Sequence, residues 1–107
     1  MPVDDLLGRL LSLPKVVDAR LSPDGRWVAF VWARRHANLD VFAVPVDGSQ
    51  PPVTLTDTPE ATMLVSWAPD SQSVIVDEDH DGDECVRLFR VYLSRPGEMI
   101  PLTEDHP

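Results

Sequence analysis

The 107-residue sequence is poor in cysteine and has no long apolar run. Its single cysteine, Cys85, excludes an internal disulfide framework. No apolar run approaches the roughly 18 residues that indicate a membrane-spanning helix. Asp4 and Asp5 stand where an export signal would carry Lys or Arg. We therefore expect a cytoplasmic protein that lacks both a disulfide scaffold and a membrane anchor.

Basic residues are also scarce, because 9 Lys and Arg face 18 Asp and Glu, for a formal net charge of −9. A phosphate backbone would be repelled by such a chain, and so would an anionic membrane surface. The charge balance therefore predicts neither a nucleic-acid partner nor a membrane partner.

The sequence contains no G-x-S-x-G, so the nucleophile elbow of an α/β-hydrolase is missing. The three histidines, His36, His80 and His106, have no spacing that suggests a catalytic triad. We expect all three to be solvated loop residues, and Cys85 to be structural. The sequence thus predicts no catalytic residue in this chain.

Residues 4–13, "DDLLGRLLSL", have leucines at helical spacing, which predicts a short amphipathic helix that ends before Pro14. The leucines expected to share its apolar face are Leu6, Leu7, Leu10 and Leu11. After Pro14 the period changes to alternation, with Val17, Ala19 and Leu21 as the apolar positions of a strand.

A pattern then occurs twice: "LSPDGRWVAF" at 21–30 and "WAPDSQSVIV" at 67–76. Each copy has a Pro-Asp turn followed by a β-rich run. The offset is 46 early in the unit and 47 later, where Phe42 matches Phe89 and Val44 matches Val91. The expected strands are 17–21, 27–32, 39–46 and 53–56, then 63–67, 73–76, 85–93 and 99–103.

A period of about 46 residues falls within the roughly 40–50 residues of a β-propeller blade. The sequence therefore predicts an all-β fold with two four-stranded antiparallel blades, at 15–60 and 61–107, after a helix within 1–14. A small β-sandwich is the alternative. Closed propellers have roughly four to eight blades, so we expect a partial propeller, either a fragment of a longer protein or one of several copies that complete a ring.

The stretches "LSPDGRWVAFVW" and "LDVFAVPVDGSQPPVTLT" resemble the N-terminal propeller of the prolyl oligopeptidase family of serine peptidases. The second copy fits more loosely, with Ser71 where Gly is usual, and similar blades occur in the propeller of the Tol system. The resemblance implies a non-catalytic propeller segment that gates the access of short peptides to a C-terminal α/β-hydrolase domain. Its partners would be that domain and the rest of the propeller.

The stretch "DEDHDGDE" at 77–84 reproduces half of a calcium loop through Asp77, Asp79 and Asp81. The completing ligand is absent, since Cys85 and Leu88 occupy the positions where a carboxylate is needed. A solvated acidic hairpin and a weak calcium site both remain open, and no other cofactor is indicated. Two further functions therefore stay as alternatives: an interaction protein that self-assembles through open blade edges, and a weak calcium-binding module.

Overall fold

The amphipathic segment at the start of the chain folds as the helix α1, Val3–Ser12, in the computed structural model. Leu6, Leu7 and Leu10 pack on the first sheet, as their spacing predicts. Leu11 does not, because 54% of its surface is exposed; its place among the face leucines was a wrong prediction. The structure describes residues 3–14, 16–33, 39–58, 61–78 and 87–102.

The first sheet, called blade 1, is antiparallel and follows chain order, β1-β2-β3-β4. Its central strands have β-branched and aromatic sequences, "WVAFVW" and "DVFAVP", which favour a buried pleated surface. Leu55 and Thr56 both donate their backbone N–H to the carbonyl of Val41, which ends the regular pairing of the outermost strand early. The strands are β1 Val16–Leu21, β2 Trp27–Trp32, β3 Asp40–Pro45 and β4 Val53–Thr54.

The second sheet, called blade 2, has the same order, β5-β6-β7-β8. Its strands are β5 Thr62–Trp67, β6 Ser73–Glu78, β7 Arg87–Tyr92 and β8 Ile100–Pro101. The outermost strand is again only two residues long.

Strand pairing reproduces the sequence repeat. Leu21 pairs with Val28 in blade 1, and Trp67 pairs with Val74 in blade 2, so both partners are shifted by 46. Further out, Phe30 pairs with Phe42 and Val76 pairs with Phe89, so the shift becomes 47 on the third strand. The extra residue therefore lies between the second and third strands, as predicted.

Each blade has two faces, which we call the leading face and the trailing face. The leading face of blade 1 contacts α1, and the trailing face contacts blade 2. The leading face of blade 2, at equivalent positions, packs against the trailing face of blade 1. The leading residues are Val28, Phe30, Phe42 and Val44 in blade 1, and Val74, Val76, Phe89 and Val91 in blade 2; the trailing residues of blade 1 are Ala29, Val31, Val41 and Ala43. Successive blades therefore stack in the same orientation, as in a repeat array.

The innermost strand departs from the alternation expected for it. A register irregularity lies between Val16 and Asp18, and Val17 is 53% exposed. Leu21 is exposed as well, so only Ala19 of the three predicted positions packs on the core beneath α1. A bulge displaces one residue from the pleat and thereby breaks the period of two.

Candidate interaction surface

The trailing face of blade 2 is a sheet surface that no described element covers. Its residues lie side by side, since Ile75 pairs with Arg90 and Asp77 pairs with Leu88. Met63 extends the surface opposite Asp77, and Ile100 extends it opposite Arg90. The side chains of Ile75, Asp77, Leu88 and Arg90 are partly exposed, whereas the equivalent residues of blade 1 are fully buried; these are Ala29, Val31, Val41 and Ala43. Blade 2 buries the trailing face of blade 1, and no described element covers the trailing face of blade 2 in the same way.

The two trailing faces also differ in side-chain size and charge. In place of Ala29 and Ala43, at offsets of 46 and 47, blade 2 has Ile75 and Arg90. Small residues let the backbone of blade 2 approach blade 1 closely, whereas Ile75 and Arg90 present a bulkier surface. A partner for this surface must therefore accommodate larger side chains than blade 2 does at the existing junction.

Arg90 places a charged side chain on this surface, and its hydrogen bonding is incomplete. Its Nη1 donates a long hydrogen bond of 3.4 Å to the Tyr92 hydroxyl, and its guanidinium carbon lies 5.7 Å from the centroid of the Tyr92 ring. Its Nε is buried and has no hydrogen-bond partner among the described residues. A buried donor without an acceptor is costly, so an incoming surface with a carbonyl or carboxylate near Nε would relieve that cost.

The existing junction shows which contacts dock one blade on another. The Trp67 indole N–H donates to the Arg20 carbonyl at 2.9 Å, and the Arg20 guanidinium donates to the Val65 carbonyl. On the outer side, the Gly97 N–H donates to the Leu55 carbonyl at 3.0 Å. Apolar packing is therefore framed by hydrogen bonds on both sides, as in stable interfaces.

Blade 1 contains a buried polar cluster close to its junction with blade 2, and the sequence analysis did not predict it. The Thr56 hydroxyl donates to Asp40 Oδ1 at 2.9 Å and accepts the Val41 N–H at 2.9 Å. The Thr58 N–H donates to the same carboxylate oxygen at 3.3 Å. In the sequence, the feature that indicates this cluster is Asp40, a single acidic residue at the start of the apolar strand "DVFAVP". The cluster ties β3 to the segment leading into blade 2, which is a structural role.

Two turn carboxylates have perturbed pKa values. The Ser22 hydroxyl, followed by the Arg26 backbone N–H, holds the pKa of Asp24 below its ordinary value of 3.8. The hydroxyl and the backbone N–H of Ser49 do the same for the pKa of Asp47. Both carboxylates are exposed and stay ionised at neutral pH, so they stabilise turns and are poorly suited to general acid or base work.

The predicted calcium ligands are only partly described. Asp77 lies at the end of β6, where it pairs with Met63 and Leu88. Asp79 and Asp81 lie outside the described residues, as do Cys85 and the three histidines. Within the described ranges, no three His, Cys, Asp or Glu side chains are grouped so that they could hold a metal ion. The calcium site therefore stays a prediction.

In the described part of the chain, no helix has the length and apolar character needed to cross a bilayer.

Comparison with known proteins supports the fold and goes no further. A search against protein families finds no match, and no curated protein matches the sequence. Among solved structures, a protein assigned as TolB from Agrobacterium tumefaciens superposes with a TM-score of 0.64 at 22% identity. The match covers 82% of this chain and 33% of that protein, so this chain spans about a third of its length. The all-β fold with two propeller-type blades and one short helix is thereby confirmed.

Proposed function

We propose that this chain contributes two consecutive blades to a larger propeller and docks a further blade on the trailing face of blade 2. The observation that carries the proposal is the contrast between equivalent faces. The trailing face of blade 1 is fully buried by blade 2, whereas that of blade 2 is partly exposed and includes Arg90 with its unpartnered Nε. The match to a third of a longer protein of similar fold supports the same conclusion.

Within such a propeller, the finer role that we propose is gating of short peptides to a serine-peptidase domain of the prolyl oligopeptidase type. Support comes from the resemblance of "LSPDGRWVAFVW" to blades of that family. A ring of rigid blades admits only chains narrow enough to enter its channel. A folded protein would first have to unfold, which costs several kcal/mol. Catalysis would belong to a domain outside the 107 residues, since no G-x-S-x-G is present.

The experiment is to express the longer protein in which the 107 residues occur and to assay peptidase activity on a short chromogenic peptide and on a folded protein. We expect turnover of the short peptide only. Replacing Leu55 with Ala should loosen the junction between the blades and admit larger substrates, whereas Leu11→Ala, an exposed position on α1, should not. A longer protein without G-x-S-x-G, or with equal turnover of both substrates, contradicts the gating role.

A non-enzymatic interaction propeller is the second candidate, and the partly exposed trailing face of blade 2 favours it. In this case the open trailing face of blade 2 binds other blades or copies of the chain, and no peptidase domain is required. The peptidase assay described above separates the cases, because this candidate predicts no turnover of either substrate. A propeller whose thermal stability does not respond to Ile75→Arg contradicts the claim that blade 2 docks a covering surface.

A further inference from the structure

The leading face of blade 1 is a blade-docking surface that α1 occupies. Val28 and Phe42 lie under α1, and the equivalent residues of blade 2, Val74 and Phe89, lie against the trailing face of blade 1. Because the strand registers match, the two leading faces have the same shape of backbone. What covers one of them in the structure is a blade, and what covers the other is a ten-residue helix.

We propose that α1 is an exchangeable cap, and that the trailing face of blade 2 from a second copy of this chain takes its place when α1 leaves. The partner follows from the interface already present, in which a leading face receives a trailing face. Within the described residues, the exposed trailing face is that of blade 2. The inference rests on the proposed function, because it requires this face to dock a blade.

The way α1 is held suits reversible displacement. Among the described side chains of α1, Leu6, Leu7 and Leu10 pack on the blade. The chain just after α1 is held by a hydrogen bond of 3.2 Å from the Trp32 indole N–H to the Pro14 carbonyl. A whole blade would offer four strands in place of these few side chains.

Beneath α1 lies an aromatic cluster that would be left exposed if the helix alone departed. The ring centroids of Phe30 and Phe42 lie 5.6 Å apart, and Trp32 lies 5.6 Å from Phe42 in an edge-on arrangement. An exposed apolar patch of this kind favours association. Departure of α1 and docking of a second copy are therefore coupled. Because α1 competes with a second copy for the leading face of blade 1, the bound helix prevents association.

The test compares Leu10→Asp with Leu11→Asp in the full chain. Leu10 is 8% exposed and faces the blade, whereas Leu11 is 54% exposed on the same helix, so it is a matched control. The indole N–H resonance of Trp32 reports whether α1 has left, and light scattering reports mass. We expect Leu10→Asp to shift this resonance and to raise the weight-average mass above that of one chain as concentration rises, because a head-to-tail contact leaves faces open for further copies. Leu11→Asp should do neither.

The partner surface is tested by combining Leu10→Asp with Ile75→Arg, which changes the trailing face of blade 2. We expect the mass to return to that of Leu11→Asp. Two results overturn the proposal: a shifted Trp32 resonance with no rise in mass, or a rise that Ile75→Arg leaves unchanged. If Leu10→Asp unfolds blade 1, Leu10→Ala replaces it, and a mass equal to that of Leu11→Ala at every concentration overturns the proposal.

Failure of this inference can be told apart from failure of the proposed function. Ile75→Arg with an intact α1 tests the trailing face alone, in the longer protein, through the thermal stability of its propeller. If Ile75→Arg lowers that stability while the Leu10 variants stay single chains, the docking face stands and the exchangeable cap is wrong. If Ile75→Arg has no effect there, the proposed function itself is wrong.

Discussion

The backbone N–H of Asp24 donates a hydrogen bond of 3.0 Å to the hydroxyl oxygen of Ser71, which joins the first turn of blade 1 to the first turn of blade 2. Ser71 stands where blade 1 has Gly25, at an offset of 46. Both residues adopt positive φ, 62° for Ser71 and 76° for Gly25. The serine therefore accepts a backbone conformation that suits glycine and supplies a contact between blades that glycine could not make.

Replacing Ser71 separates these two effects. Ser71→Ala keeps the left-handed backbone, which costs about 1–2 kcal/mol for a residue with a Cβ, and loses a hydrogen bond worth about 0.5–1.5 kcal/mol. Ser71→Gly loses the same bond but relieves the backbone cost. We expect the free energy of unfolding, measured in urea by tryptophan fluorescence, to fall for Ser71→Ala and to be higher for Ser71→Gly than for Ser71→Ala. A less stable Ser71→Gly would contradict this account.

Leu55 and Leu102 occupy equivalent positions, 47 residues apart, with opposite environments. Leu55 is fully buried at the junction between the blades, and Leu102 is 47% exposed. Leu55→Ala should therefore cost about 2–5 kcal/mol of unfolding free energy, whereas Leu102→Ala should change it by less than about 0.5 kcal/mol. Denaturant unfolding of the two variants measures both values.

The substitutions Leu55→Ala and Leu102→Ala also test whether a further blade docks on blade 2. In a longer protein that supplies a further blade, Leu102→Ala should become as costly as Leu55→Ala. Equal costs in the isolated chain would mean that Leu102 is already covered, contrary to the exposure described above.

The turn carboxylate of Asp24 links stability to pH. Its folded-state pKa is lowered from 3.8 by the Ser22 hydroxyl and the Arg26 N–H, so the ionised form favours the folded protein. This contribution is fully present above pH 3.8 and is lost as the pH falls through the lower, folded-state pKa. We expect Ser22→Ala to bring the pKa of Asp24 back towards 3.8, as measured by NMR titration of its carboxyl carbon.

Ser49→Ala is the matched control, because its hydroxyl acts on Asp47 in the equivalent way. It should raise the pKa of Asp47 and leave that of Asp24 in place. A pKa of Asp24 that does not respond to Ser22→Ala would show that the hydroxyl is not the leading cause.

The acidic stretch at 77–84 remains a weak calcium-site prediction. With Asp77, Asp79 and Asp81 as ligands and no completing carboxylate, binding should be no tighter than about 10⁻⁴–10⁻³ M. We expect a rise in melting temperature only at millimolar calcium, lost in Asp79→Asn and kept in Asp47→Asn. No rise at millimolar calcium would leave a solvated acidic hairpin.

Strand positions and pairing could be predicted from the residues because they depend on local chemistry. Pro-Asp turns and β-branched runs recur at fixed spacing, and a ladder that pairs Phe30 with Phe42 constrains Val76 and Phe89 in the same way.

The sequence by itself therefore determined that the chain makes two copies of one four-stranded unit behind a helix. Only the tertiary structure decided which neighbour covers each face. The alternation of apolar residues assigns side chains to the two faces of a strand, but it does not determine which element packs on either face. The tertiary structure placed α1 over blade 1, left Leu11 and Val17 exposed, and brought Ser71 to Asp24. Those outcomes depend on contacts between residues far apart in the chain, which no local pattern contains.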